Sequence, residues 1–193
     1  MVVSISIVGL CWLIFFIWWG VSALFTKKSV TKRGWWWRIY LMIVLILAFI
    51  FINKSKTNPG IAKELFINTF FVAAPLISII AAIFAVAGVS LAIWARIYLG
   101  RNWSGYVTYK KNHELVTSGP YKYIRHPIYS GVMLMLIGTW LSFPTDWFSG
   151  LFIIYIIIFL WRTKREEKIM IRLFGKRYKD YMKRTKRLIP WIY

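Results

Sequence analysis

The chain has 193 residues, of which 59% are hydrophobic and 19% aromatic, and 26 basic against 6 acidic side chains give it a net charge of +20. The apolar residues run in long unbroken blocks, which excludes an ordinary soluble core and indicates a membrane protein. The basic residues fall between and after those blocks, where phospholipid headgroups lie, so the charge implies anionic lipid and not nucleic acid as a partner.

A crossing of the hydrocarbon layer takes about 20 apolar residues over roughly 30 Å, so several spans use most of a chain this short. The one cysteine, Cys11, sits inside the first apolar block, which rules out a disulfide framework and a thiolate zinc site. Two histidines, His113 and His126, suggest no metal cluster.

In chain order, residues 3–25 form the first block. It is too long for a signal-peptide core, has no basic residue ahead of it and lacks a small-residue cleavage site, so it reads as a retained span. A second block covers 35–52. A third begins near 66 and continues to 99, longer than one crossing needs, with Pro75 and Gly88 as expected kink points. After a polar stretch, 100–125, two shorter blocks at 127–141 and 147–161 flank Phe143-Pro144-Thr145-Asp146. At 1.5 Å rise per residue each covers only some 22 Å, which predicts a tight hairpin with recessed cytoplasmic ends.

Beyond the hairpin, residues 163–185 place Ile169, Met170, Leu173, Phe174, Tyr178, Tyr181 and Met182 at helical spacing among lysines and arginines, with Gly175 as a break point. This predicts an amphipathic helix on the membrane surface. The first loop (Lys27, Lys28, Lys32, Arg33, Arg38), the third loop and the tail are strongly basic. The second loop carries Lys54, Lys56 and Lys63 with Glu64, and the fourth only Asp146. The bias favours about five spans, with the amino terminus outside and the carboxyl terminus in the cytoplasm. The expected class is an all-α, multi-pass integral membrane protein of one structural domain. Residues 1–99 would supply the amino-terminal spans and 100–193 the functional core.

The run HELVTSGPYKYIRHPIYSG, from His113 to Gly131, is the most polar and turn-rich in the chain and leads straight into the fourth block. Gly119-Pro120 marks a turn. Pro127 suits the first position of a helix, which puts His126 near the N-cap, where free N–H groups and the positive dipole end favour a carboxylate. The plainer reading of Arg125 and His126 is interfacial anchoring. At the end of the fifth block, Arg162 and Glu166 are four residues apart and share a helical face, with Glu167 alongside. Charges at membrane depth are costly and tend to mark function, whereas a solvated pair at a helix end needs no function at all.

Taken together, HELVTSGPY, RHPIYSG, RTKREE and LFGKRYKDYMKRT followed by Pro190 resemble the isoprenylcysteine carboxyl methyltransferase family, within the wider group of membrane phospholipid and isoprenylcysteine methyltransferases. The likeness covers roughly the carboxyl-terminal half. It implies an S-adenosylmethionine cradle on the cytosolic side, made by His113, Glu114, Leu115 and Val116, by Tyr121, by His126, Pro127, Ile128 and Tyr129, and by Glu166. It also implies that Arg162 meets a lipophilic or prenylated acceptor. Tyr106 stands where the family motif often has glutamine.

The residue types suit that chemistry. A carboxylate that attacks a sulfonium methyl needs no strong base, so orientation and desolvation can carry catalysis, and one arginine can hold the carboxylate in a fork. His126 would contact the cofactor or, for a hydroxyl or amine acceptor, take a proton. Trp94, Trp103 and Trp140 either line a lipid opening or form an interfacial belt. Competing readings are methylation of another lipid or of a polyketide hydroxyl or amine, a membrane sterol-reductase-like NADPH enzyme, and a non-catalytic scaffold. Short length and the combined polar motifs favour methyl transfer.

Overall fold

A computed structural model describes residues 2–25, 75–103, 114–142 and 146–189. The second apolar block, most of the first two loops, Tyr106, His113 and the turn 143–145 lie outside the described residues. All described regular elements are helical, and the only β contact among the described residues is an isolated parallel bridge between Ile124 and Lys186.

Helix α1, Val2–Ala23, has neither proline nor charge to interrupt it. Helix α2 spans Pro75–Leu99 and ends where Gly100 takes φ 52°, opening a 3-10 turn, Gly100–Asn102. A second 3-10 turn, Gly119–Lys122, precedes helix α3, Pro127–Ser142. Helix α4 runs for 29 residues from Asp146 to Phe174, and after Gly175 (φ 53°) helix α5 covers Lys176–Arg184. These helices belong to one compact unit. Among the described residues, Pro75–Asn102 is long and apolar enough to cross a membrane, and Ser6–Ser22 and Pro127–Ser142 are shorter apolar helices.

The core is a three-helix contact in which Val8, Cys11 and Phe15 of α1 meet Ala85, Val89 and Ala92 of α2 and Met135 of α3. Small residues bring α2 and α3 backbone to backbone. A Cβ on Gly88 would lie 2.5 Å from the Gly131 carbonyl oxygen, and one on Gly131 would lie 2.7 Å from that of Gly88. Gly138 repeats the contact one step along, against Ala81 and Ala85. In lipid, where tails are as apolar as the side chains, such close approach and occasional polar links hold helices together. Trp12 Nε1 donates to Thr139 Oγ1 at 2.9 Å to link α1 to α3. Trp140 Nε1 donates to Ser149 Oγ at 2.9 Å, closing the α3–α4 hairpin. The opposite faces expose Leu13, Phe16, Ile17, Ile79, Ile83, Ile153 and Ile157.

Gly88 lies within an unbroken α2, where the missing side chain admits the backbone of α3. One expectation changes: the tail is not one surface helix, since 163–174 are the last turns of α4. The aromatic face of α5 buries Tyr178 and Tyr181 against the protein.

Candidate active site

A cavity of about 460 Å³ opens where α1, α3, α4 and the segment before α3 converge. Its apolar lining includes Phe15, Trp19, Leu99, Val132 and Phe159. Its polar lining includes Asn102, Glu114, Arg125, His126, Arg162 and Glu166, and Leu115, Val116, Tyr121, Ile128 and Tyr129 also line it. Mixed walls of this kind, with few convergent polar groups, characterise ligand sites.

The polar wall begins with the turn ahead of α3. Gly119 adopts φ 58°, and a Cβ there would lie 2.6 Å from the Tyr98 ring, so only glycine fits. The 3-10 turn that follows buries Tyr121, whose phenol burial pushes well above its ordinary pKa. His126 then caps α3: its carbonyl accepts the first helical bond, from Ser130 N at 3.1 Å, and Pro127 is buried. That geometry leaves the N–H groups of Ile128 and Tyr129 without intrahelical acceptors, at the positive end of the helix dipole.

Glu166 reaches this wall from α4. Tyr129 donates its phenolic hydrogen to Glu166 Oε1 at 2.6 Å, and Arg162 Nε donates to the same oxygen at 3.2 Å. His126 Nδ1 lies 3.7 Å from Glu166 Oε2. The buried His126 Nε2 stands 3.5 Å from Glu167 Oε1 and makes no hydrogen bond among the described residues.

Glu167 is only 4% exposed and forms the centre of a clamp. Arg125 Nε donates to Oε1 at 2.7 Å, and the Arg187 guanidinium donates to Oε2 at 2.7 Å. Burial raises a carboxyl pKa, but His126, Arg187 and Arg125 outweigh it and hold Glu167 well below the usual carboxylate range. The segment after α5 runs beside the turn: Arg125 N donates to Lys186 O at 2.8 Å, His126 N to Arg187 O at 3.1 Å, and Ser130 Oγ to Leu188 O at 2.6 Å. Arg125 also donates to the Thr185 carbonyl, and Tyr181 Oη donates to Tyr121 O at 2.6 Å. Burial pushes the Tyr181 phenol up to about 12, so it remains a donor.

Of the residues the sequence nominates, Glu114, Leu115, Val116, Tyr121, His126, Ile128, Tyr129, Arg162 and Glu166 line one cavity. Pro127 is buried beside it, and His113 lies outside the described residues. Trp103 lines the cavity, whereas Trp94 is exposed and Trp140 packs on Phe152. Sequence reasoning missed the contributions of Phe15, Trp19 and Asn102 and the role of Arg187. An acid in a basic tail marked Glu167, but no local pattern marks Arg187, because its partners are 20 and more residues away.

A model of the isoprenylcysteine carboxyl methyltransferase family matches residues 78–172. The chain is similar to that family over this region. Protein-S-isoprenylcysteine O-methyltransferase B of Arabidopsis thaliana is 25% identical over 156 residues, 79% of this chain and 74% of that one. The protein-S-isoprenylcysteine O-methyltransferase of Schizosaccharomyces pombe is 34% identical over 51% of this chain and 43% of its own length. The Homo sapiens enzyme of that name is 34% identical over 60% of this chain and 42% of its own. This chain therefore spans less than half the length of the last two. The solved structure of the eukaryotic intramembrane Ras methyltransferase ICMT superposes with a TM-score of 0.56 at 24% identity, covering 84% of this chain and 55% of that one. The methyltransferase family that residues 78–172 match implies a methyl donor.

Proposed function

We propose that the protein is a membrane-embedded, S-adenosylmethionine-dependent methyltransferase that esterifies the carboxylate of an isoprenylcysteine-type lipophilic substrate. The observation that carries this reading is one cavity joining a charged wall, His126, Arg162 and Glu166, to an apolar wall, Phe15, Trp19, Val132 and Phe159. Such a cavity suits a polar donor and a greasy acceptor at once.

The donor set fits S-adenosylmethionine. The free N–H groups of Ile128 and Tyr129 and the dipole of α3 suit a carboxylate. Glu114 and Glu166 suit an ammonium or hydroxyl groups, and His126, whose Nδ1 lies 3.7 Å from Glu166, offers a further polar contact. When bound, the cofactor supplies an electrophilic methyl on a sulfonium sulfur.

The chain's own residues do the rest. Arg162 orients the acceptor carboxylate, and its hydrogen bond to Glu166 keeps the guanidinium plane fixed as the two reactants meet. Glu166, held by Tyr129, offsets positive charge near the polar wall. Phe15, Trp19, Val132 and Phe159 exclude water, so the carboxylate loses its hydration shell as it enters. No side chain has to remove a proton from a carboxylate, and His126 acts as a cofactor contact.

In this reading the chain crosses the membrane with about five helices, its amino terminus outside and its carboxyl terminus and site cytoplasmic. The core of the site comes from 100–193. The basic tail faces anionic headgroups, where each exposed Lys or Arg contributes about 1 kcal/mol.

The test is methyl transfer from labelled S-adenosylmethionine to a farnesylated cysteine with a free carboxylate, using protein purified in mild detergent. Base-labile labelled product is expected, with kcat/KM lower by about 100-fold or more in Arg162→Ala, the loss expected when one partner of a buried charge pair is removed. Label in a base-stable product, or full turnover in Arg162→Ala, would overturn the carboxylate assignment.

A further inference from the structure

The 3-10 turn that ends α2 is held with more force than a connection requires. Arg96, buried in the last turn of α2, donates from one terminal nitrogen to Gly100 O at 2.6 Å and from the other to Ser22 O at 2.7 Å. Its guanidinium carbon stands 4.8 Å from the centre of the Trp103 ring, and Trp19 meets that ring edge-on at 5.6 Å. A buried arginine is expensive unless its hydrogen bonds are fixed, so Arg96 joins α1 to this turn in one geometry.

The residue that the turn presents is Asn102. It is 7% exposed, it lines the cavity, and its Oδ1 is buried with no hydrogen-bond partner among the described residues. An unmet buried acceptor destabilises a folded chain, and native proteins keep such a group where a ligand completes it.

We propose that Asn102 is a binding residue for the methyl donor, its side-chain oxygen accepting a hydrogen bond from an N–H or O–H of the bound molecule. This rests on the methyltransferase reading above. S-adenosylmethionine carries such hydrogens on its adenine amine, its ribose and its ammonium. Arg96 is the positioning residue that holds the amide in the wall.

The experiment measures thermal unfolding and binding affinity in detergent for wild type, Asn102→Leu and Asn102→Ala. The probes are S-adenosylhomocysteine and 5′-methylthioadenosine, which lacks the amino-acid end. Both variants are expected to bind S-adenosylhomocysteine about tenfold more weakly. Unliganded Asn102→Leu should melt no lower than wild type, because the orphan acceptor is gone. A merely structural asparagine would instead lower the unliganded melting temperature and leave affinity alone. Weaker binding of both probes places the contact on the adenosine half, and weaker binding of S-adenosylhomocysteine alone places it on the amino-acid end. Unchanged affinity in a folded variant overturns the proposal. A wild type that neither probe stabilises overturns the methyl-donor reading, and this one with it.

Discussion

Two buried regions of this molecule are held together by opposite means. Between α2 and α3, Gly88, Gly131 and Gly138 remove side chains until the backbones touch, and stability comes from close packing along a regular seam. Around Glu167, two long charged side chains from separate stretches, Arg125 and Arg187, converge on one carboxylate. The seam is local to two helices and leaves no room for change. The clamp is non-local, and it holds the α3 cap where His126 meets the cavity. A rigid seam therefore carries a site whose polar wall is set by the far end of the chain.

The sharpest way to break the contrast is Gly131→Leu. A Cβ alone would lie 2.7 Å from Gly88 O and 2.8 Å from Ala92 N, backbone atoms that cannot move aside. Overpacking costs about 1–3 kcal/mol even where side chains can adjust, so no folded protein is expected by size-exclusion after extraction. Next comes Glu167→Ala, which removes the carboxylate that Arg125 and Arg187 share. Removing one member of a buried pair costs about 3–5 kcal/mol, so a large drop in melting temperature should accompany loss of cofactor binding.

The smallest effect is in pH. The folded-state pKa of Glu167 is depressed, so its contribution is complete above the ordinary carboxylate pKa of about 4.3 and fades as pH falls toward the folded value. The stability difference between wild type and Glu167→Gln should be flat above about pH 5 and shrink below about pH 4. A difference that grew on acidification would show that the clamp does not hold an ionised carboxylate.

This contrast also explains what could be read from sequence. The apolar blocks at 3–25 and 127–141 announced α1 and α3, and the proline at 127 placed the start of α3 and its cap. The spacing of four put Arg162 and Glu166 on one face, where they pair. What stayed hidden depends on contacts between distant stretches. The burying of Tyr178 and Tyr181 against the turn is invisible in a helical wheel, which shows an apolar face but not what covers it. The close approach at Gly88 shows only when Gly131 is placed opposite. The same holds for Phe15 and Trp19, which look like any span residues until α1 is laid beside α3.

The central claim is that the wall formed by His126 and Glu166 binds the methyl donor. The most direct measurement is equilibrium binding of labelled S-adenosylmethionine to the purified protein in detergent, for wild type, His126→Ala and Glu166→Ala, each first shown to be folded by its melting curve. Saturable binding by wild type, lost in both variants, is the predicted result. Equal binding by all three folded proteins would contradict the account.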